Sequence, residues 1–196
     1  MSDTVLIIAC GALAREIEEL RRLNGWRHVR VQCLPAELHN TPEAIPAAVR
    51  EKIEAGRGEH EKIFVAYADC GTGGRLDALL QESGVERLPG AHCYEFYAGS
   101  AEFAGLHEAE PGTFYLTDFL VRQFEPLVIR ALGLDRHPEL RDQYFRNYRR
   151  LVYLAQIESP DLEARARECA RRLGLEYEYR FTGHIQIGRA SCRERV

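Results

Sequence analysis

Short apolar segments alternate with amphipathic ones along nearly the whole chain, and this alternation constrains the fold more than any other feature. Residues 4–9 and 62–68 are the clearest apolar segments, and their length is typical of strands covered on both faces. Residues 12–23 follow the first of them and have apolar side chains at helical spacing. Strands that alternate with helices indicate βαβ units. We therefore predict an α/β fold with a mostly parallel, doubly wound, Rossmann-like sheet and helices on both faces.

The same patterns predict the remaining elements and a single domain over residues 1–186. Further strands are expected at residues 28–33, 85–88, 112–116, 150–155 and 175–180, and further helices at 42–55, 75–82, 125–148 and 161–173. The helical region 125–148 is expected to break at Gly133 and before Pro138. Thr117 or Asp118 is expected to cap the helix that follows the strand at 112–116.

Composition and charge exclude several classes of protein. The chain of 196 residues carries 26 Lys and Arg against 30 Asp and Glu, a formal charge of −4, which disfavours binding to nucleic acid. No apolar run approaches the roughly 18–20 residues of a membrane span. The N-terminus lacks the basic region of a secretory signal. We therefore expect a cytoplasmic protein that binds neither membrane nor nucleic acid.

The last ten residues, 187–196, read IGRASCRERV and match the translation of a sequencing adapter. We expect this segment to be an artefact and the natural C-terminus to be truncated. It contains three Arg and one Glu, so without it the formal charge changes from −4 to −6. It also contains one of the six cysteines, Cys192.

Four of the other cysteines come at or soon after the ends of predicted strands. Cys10 and Cys33 end the first two strands, and Cys70 and Cys93 follow the next two. The carboxyl ends of parallel strands share one edge of the sheet, where open α/β sheets bind ligands. We expect these thiols at that edge. Because cysteine is often buried, inert burial in the core is the alternative for each of them.

Other side chains near these cysteines point to a metal centre or to catalysis. Thiolate and imidazole groups are typical zinc ligands, and clustered intracellular Cys and His indicate metal binding or catalysis more than a disulfide. The predicted metal ligands are Cys10, His39, Cys70 and Cys93, with His92 as an alternative to His39 or an open fourth position. The predicted catalytic residues are Cys70, His92 and Glu95.

A glycine-rich segment, Asp-Cys-Gly-Thr-Gly-Gly at 69–74, joins a predicted strand to a predicted helix. Backbone N–H groups at such a position can bind phosphate, carboxylate or another oxyanion. The segment lacks the Lys-Ser/Thr end of a P-loop, and a plain tight turn is the alternative. We predict a small-molecule or anionic ligand bound by Gly71, Thr72, Gly73 and Gly74.

Five motifs together resemble the DUF1638 family of bacterial and archaeal proteins of unknown function. They are ACGALARE (9–16), CLPAELHNTPEAIP (33–46), FVAYADCGTGG (64–74), PGAHCYEF (89–96) and FYLTDFL (114–120). The resemblance covers residues 5–183. Genes of this family often lie near those of corrinoid proteins and methyltransferases, so the resemblance implies one-carbon metabolism and a corrinoid methyltransferase protein as partner.

Three functions follow from these observations and stay open at this point. The first is a thiolate–zinc site that acts in methyl or acyl transfer. The second is a metal-free enzyme with Cys70 as nucleophile, His92 or His39 as base, and amides of residues 71–74 as oxyanion donors. The third is a non-catalytic binding module of a corrinoid methyltransferase system.

Overall fold

The computed structural model of the chain describes residues 4–183, which form helices and parallel strands. The segment that we attribute to a sequencing adapter, residues 187–196, lies outside the described residues. The chain divides into two compact units, of which the first ends at Cys93 and the second begins at Tyr94. The strands form two parallel sheets where we expected one. That both units belong to a single domain stays a prediction.

The first unit contains four strands and three α-helices. Its strands are β1 (Val5–Cys10), β2 (Val29–Leu34), β3 (Lys62–Ala66) and β4 (Glu86–Arg87), and its helices are α1 (Ala14–Leu23), α2 (Ile45–Gly56) and α3 (Arg75–Ser83). Short 3₁₀ turns cover Gly11–Leu13, Ala36–Asn40 and Pro42–Ala44. The sheet has the order β2-β1-β3-β4, and Val5 of β1 pairs with Val29 on one side and Lys62 on the other.

Burial explains why β1 lies at the centre of this sheet. Leu6 and Ile8 of β1 are fully buried, and α2 packs on both β1 and β3. Ile45, Val49 and Ile53 of α2 are buried at four-residue spacing, so that one face of the helix is apolar. Each such side chain stabilises the fold by about 1.5–3 kcal/mol when buried.

The second unit contains three strands and a larger number of short helices. Its helices are α4 (Tyr94–Ala98), α5 (Ser100–Ala109), α6 (Asp118–Arg122), a π-helix (Glu125–Arg130), α7 (Leu140–Tyr144) and α8 (Pro160–Leu173). Its strands are β5 (Thr113–Thr117), β6 (Arg150–Ala155) and β7 (Glu176–Phe181), in the order β5-β6-β7.

Alternate side chains of β6 enter two separate apolar cores. Leu151 and Tyr153 pack with residues of α8 such as Ala166, whereas Val152 and Leu154 pack in a second cluster that includes Phe103 of α5. A strand with period-two alternation and both faces buried is covered by helices on both sides. The predicted α/β class with parallel strands is therefore confirmed.

The helices agree only in part with the sequence predictions. Region 125–148 breaks at Gly133, which has a φ of +69°, and before Pro138, as predicted, but less of it is helical than expected, since it holds only the π-helix and α7. The pattern also missed α5, which buries only Phe103 and Leu106 and so shows little periodicity. The predicted cap at Thr117 is confirmed, since its side chain accepts a hydrogen bond from the Leu120 N–H. None of the helices within residues 4–183 is long and apolar enough to cross a membrane.

Candidate metal centre

Every strand of the first sheet is followed by a cysteine or histidine that lies in a candidate centre. Cys10 is the last residue of β1, and His39 lies in the 3₁₀ turn after β2. Cys70 and Cys93 lie in the loops after β3 and β4. All four strands are parallel, so these side chains come from the same edge of the sheet. The structure therefore places these side chains at the carboxyl edge of the sheet, where the sequence predicts them.

Three of these side chains form a compact group of ligand atoms. One atom each of His39, Cys70 and Cys93 lies within 4.8 Å of the other two. The sulfur of Cys10 lies 3.9 Å from Nδ1 of His39. Zinc bonds of about 2.0–2.3 Å in tetrahedral geometry separate ligand atoms by roughly 3.5–3.8 Å. The group can therefore hold a metal ion after a contraction of about 1.3 Å or less.

The ring of His39 is oriented by its backbone surroundings. Nδ1 lies 3.1 Å from the carbonyl oxygen of Ala36, and because a carbonyl only accepts, Nδ1 carries the proton in this hydrogen bond. Nε2 is buried and has no hydrogen-bond partner among the described residues. Metal-binding histidines commonly donate their other N–H to a carbonyl in this way. The geometry thus presents Nε2 as the nitrogen available to a ligand.

Backbone hydrogen bonds between two loops bring Cys70 and Cys93 together. The N–H groups of Asp69 and Cys70 donate to the carbonyl oxygens of Gly90 and Ala91, at 3.1 and 2.9 Å. Cys70 has a φ of +50°, and it is the one non-glycine residue within 4–183 with a positive φ. Such a conformation is costly and is concentrated at functional sites. The pairing of the loops holds this backbone in place.

The thiol of Cys70 and the imidazole of His39 shift each other's protonation. A hydrogen bond from the Cys93 thiol is the largest cause that lowers the pKa of Cys70 to about 5, and His39 adds to it against the effect of burial. Burial alone lowers the pKa of His39, but Cys10 and Cys70 outweigh it and raise the value to about 10. The hydrogen bond to Cys70, together with burial, raises the pKa of Cys93. Without a metal, the centre holds a thiolate–imidazolium pair.

Tyr67 belongs to the centre, and the sequence did not indicate it. Its ring stacks on that of His39, with centroids 6.0 Å apart, and its buried hydroxyl has no hydrogen-bond partner among the described residues. Burial, followed by the charges of Cys10 and Cys70, raises the pKa of Tyr67, so the hydroxyl stays protonated. Because Tyr67 lies within the apolar segment 62–68, the sequence pattern predicts that Tyr67 is a core residue and gives no sign of a role in the centre.

The glycine-rich loop binds a carboxylate of the chain itself. Asp69 accepts hydrogen bonds from the hydroxyl of Thr72 and from the N–H groups of Gly73 and Gly74, at 2.7, 3.2 and 2.9 Å. These bonds outweigh partial burial and hold the pKa of Asp69 below its ordinary value. The N–H of Thr72 donates to the Asp69 carbonyl. Donors of Thr72, Gly73 and Gly74 are therefore used within the loop. That Gly71, Thr72, Gly73 and Gly74 bind an external ligand stays a prediction.

Three other residues that the sequence placed near the site lie outside the compact group of ligand atoms. His92 is exposed and is not part of the group of three ligand atoms within the described chain. Glu95 is in the first turn of α4, in the second unit. Cys33 is exposed on β2, so the alternative of burial in the core is wrong for it. The catalytic roles of His92 and Glu95 stay predictions.

Fold and centre together define an α/β protein with a His/Cys ligand group at the carboxyl edge of a parallel sheet. Residues 33–189 match the family model described as "Protein of unknown function (DUF1638)", and the chain belongs to the DUF1638 family. The matched region includes His39, Cys70 and Cys93. Comparisons with curated proteins and with solved structures found no significant match.

Proposed function

We propose that the chain binds zinc through His39, Cys70 and Cys93. The observation that carries this proposal is the convergence of three ligand atoms, from three separate loops, within 4.8 Å of one another. Two thiolates and one imidazole are ligands that zinc prefers, whereas magnesium and calcium prefer oxygen. The buried Nε2 of His39, which has no hydrogen-bond partner among the described residues, supports the same assignment.

In this proposal the fourth zinc position is open and Cys10 is a positioning residue. The sulfur of Cys10 lies beside Nδ1, the nitrogen that faces the Ala36 carbonyl, rather than in the compact group of three. It also accepts a hydrogen bond from the N–H of Ala12 at 3.3 Å. Sites with three protein ligands and an open position are typical of catalytic zinc.

The reaction that we propose is methyl transfer to a thiol. A substrate thiol in the open position would lose its proton at a lower pH, because zinc stabilises the thiolate. The thiolate would attack a methyl group, forming a carbon–sulfur bond while the electron pair of the broken bond stays with the donor. The family resemblance supports one-carbon metabolism and a methylated corrinoid protein as donor. The cytoplasm, expected from the sequence, is the location in this proposal. The reducing conditions of the cytoplasm would keep the thiols available.

Metal analysis of the full chain, purified under reducing conditions, tests the proposal. We expect about one equivalent of zinc per chain, since binding energies at such sites are large. Less than about a tenth of an equivalent of every transition metal, before and after incubation with zinc, would contradict the proposed site.

Variants distinguish the ligands from their neighbours. We expect His39→Gln, Cys70→Ser and Cys93→Ser each to lower zinc affinity by at least about 100-fold, because loss of a mere supporting contact already costs about 10–100-fold. Cys10→Ser, which removes a positioning contact to His39, should lower it by about 10-fold, at the lower end of that range. Cys33→Ser, at an exposed position outside the centre, is the matched control. A loss with Cys10→Ser equal to that with Cys70→Ser would indicate a closed site with four ligands.

A metal-free cysteine nucleophile is the second candidate function, and the pairing of Cys70 with His39 favours it. His39, rather than the exposed His92, is then the base. We expect alkylation of metal-free protein to modify Cys70 far faster than any other thiol near neutral pH. Uniformly slow alkylation, or no slowing with His39→Gln, would contradict this candidate.

A further inference from the structure

We propose that Cys70 and Cys93 form a reversible disulfide on reaction with a hydroperoxide, and that this oxidation releases the bound metal. The two sulfur atoms lie within 4.8 Å of each other, whereas a disulfide needs about 2.05 Å. Rotation about the side-chain bonds can supply much of this difference. The release of metal rests on the proposed function, but the formation of the disulfide does not.

The fold holds this pair of sulfurs together without help from a metal. The loops that carry Cys70 and Cys93 are joined by the two backbone hydrogen bonds, from Asp69 to Gly90 and from Cys70 to Ala91. A pair that is already close gives up little conformational freedom when it is cross-linked. Cys70 is buried, and Cys93 as a residue is of intermediate exposure, so the oxidant of this proposal is a small hydroperoxide.

The other cysteines of the described chain are less suited to form a disulfide with Cys70 or Cys93. Cys33 is exposed on β2 and is not part of the compact ligand group. Cys169 is buried in α8, in the second unit. Cys10 lies beside His39 and is therefore the competing partner for either sulfur.

The oxidation balances in two steps. One thiolate attacks an oxygen of the hydroperoxide, the O–O bond breaks, and a sulfenic acid forms. The leaving alkoxide, or hydroxide in the case of hydrogen peroxide, takes up a proton and becomes an alcohol or water. The second thiolate attacks this sulfur, the S–O bond breaks, and hydroxide leaves as water after protonation. Two thiols thus lose two electrons to the O–O bond. A dithiol reductant reverses the step by thiol–disulfide exchange.

Oxidation would remove two of the three proposed ligands at once. A disulfide sulfur carries no negative charge, and it is the thiolate that binds zinc. His39 would then be left as a single ligand, which does not hold zinc against a competing chelator. The pair would make the zinc content of the protein depend on peroxide.

The first experiment treats metal-free full chain with one equivalent of hydrogen peroxide and maps disulfides by mass spectrometry of an unreduced digest. We expect a cross-link between Cys70 and Cys93 that dithiothreitol reverses. Cys70→Ser and Cys93→Ser should each abolish it, while the control Cys33→Ser should keep it. A cross-link that uses Cys10, or no cross-link at all, would overturn the proposal.

The second experiment adds peroxide to zinc-loaded protein in the presence of a chromogenic chelator. We expect about one equivalent of zinc to be released at the rate at which the disulfide appears. Zinc that stays bound after the disulfide has formed would overturn the coupling. A protein that binds no zinc but forms the cross-link would contradict the proposed function and leave the redox pair supported.

Discussion

At the scale of single residues, His39 and Cys70 depend on each other. Each would be neutral over a wide pH range in isolation, since burial disfavours a charge on either of them. The hydrogen bonds and charges within the centre reverse this effect for both. A metal ion needs the thiolate form of Cys70 and the neutral form of His39, so metal binding is expected to release a proton from the imidazolium.

Their pKa shifts predict how stability depends on pH in metal-free protein. The pKa of Cys70 falls from 9.0 to about 5, so its contribution is complete above pH 9 and declines as the pH falls towards about 5. The pKa of His39 rises from 6.5 to about 10, so its contribution is complete below pH 6.5 and declines as the pH rises towards about 10. We expect the free energy of unfolding, measured by urea denaturation, to be greatest between about pH 6.5 and pH 9, where the two contributions overlap.

Thiolate absorbance in the ultraviolet gives a direct check of the same pair. We expect the midpoint for Cys70 to lie near pH 5 and to move upwards in His39→Gln, because the cation that stabilises the thiolate is removed. Cys33→Ser should leave this midpoint in place. A Cys70 midpoint near 9 in the unsubstituted chain would refute the pairing.

At the scale of elements, the loop after β3 is held by its own aspartate. Asp69 accepts three hydrogen bonds from residues 72–74, and the same loop carries Cys70 with its positive φ. Loss of these bonds would release the backbone that positions the thiol. The loop therefore supports the centre through its internal hydrogen bonds.

Asp69→Ala tests this role of the loop. We expect it to lower the free energy of unfolding by about 1–3 kcal/mol, because it leaves backbone donors without a partner. It should also weaken zinc binding by about 10–100-fold, as loss of a supporting contact does. Urea denaturation and zinc titration measure the two effects. Glu51→Ala, at an exposed position of α2, should change stability by less than about 0.5 kcal/mol.

The start of α8 gives a second test at this scale, remote from the centre. Ser159 caps the helix by accepting a hydrogen bond from the Leu162 N–H. We expect Ser159→Ala to lower the free energy of unfolding by about 0.5–2 kcal/mol while zinc affinity stays the same. Ser100→Ala at the exposed first residue of α5, where Gly99 is the cap, should have little effect. Equal losses from both substitutions would argue against the cap.

At the scale of the whole molecule, all the proposed zinc ligands lie in the first unit, which ends at Cys93. Zinc at about 100 times its Kd should stabilise the state that binds it by about 2.7 kcal/mol. We expect hydrogen exchange to slow in residues 36–40, 69–74 and 89–93 on zinc addition, because these segments carry the ligands. Protection that is no greater there than in α8, or that persists in Cys70→Ser, would contradict the proposed site.

Much of the fold and part of the centre could be predicted from the sequence. Period-two and helical spacings are local properties, so they predicted the parallel strands and most helices correctly. Helix α5 was missed, since it has little periodicity. The breaks of the 125–148 region at Gly133 and before Pro138 were predicted, but the region is less helical than its sequence indicated. The separation of the strands into two sheets depends on pairing between distant segments, which local patterns do not specify.

The sequence by itself determined that cysteines and His39 follow the carboxyl ends of parallel strands, because strand direction and loop position are set along the chain. Only the tertiary structure decided which of these side chains meet. The compact group of three, the stacking of Tyr67 on His39 and the exposure of His92 depend on contacts between residues far apart in sequence. The capture of backbone donors by Asp69 is local, but it depends on a loop conformation with positive φ values that the neighbouring loop helps to hold.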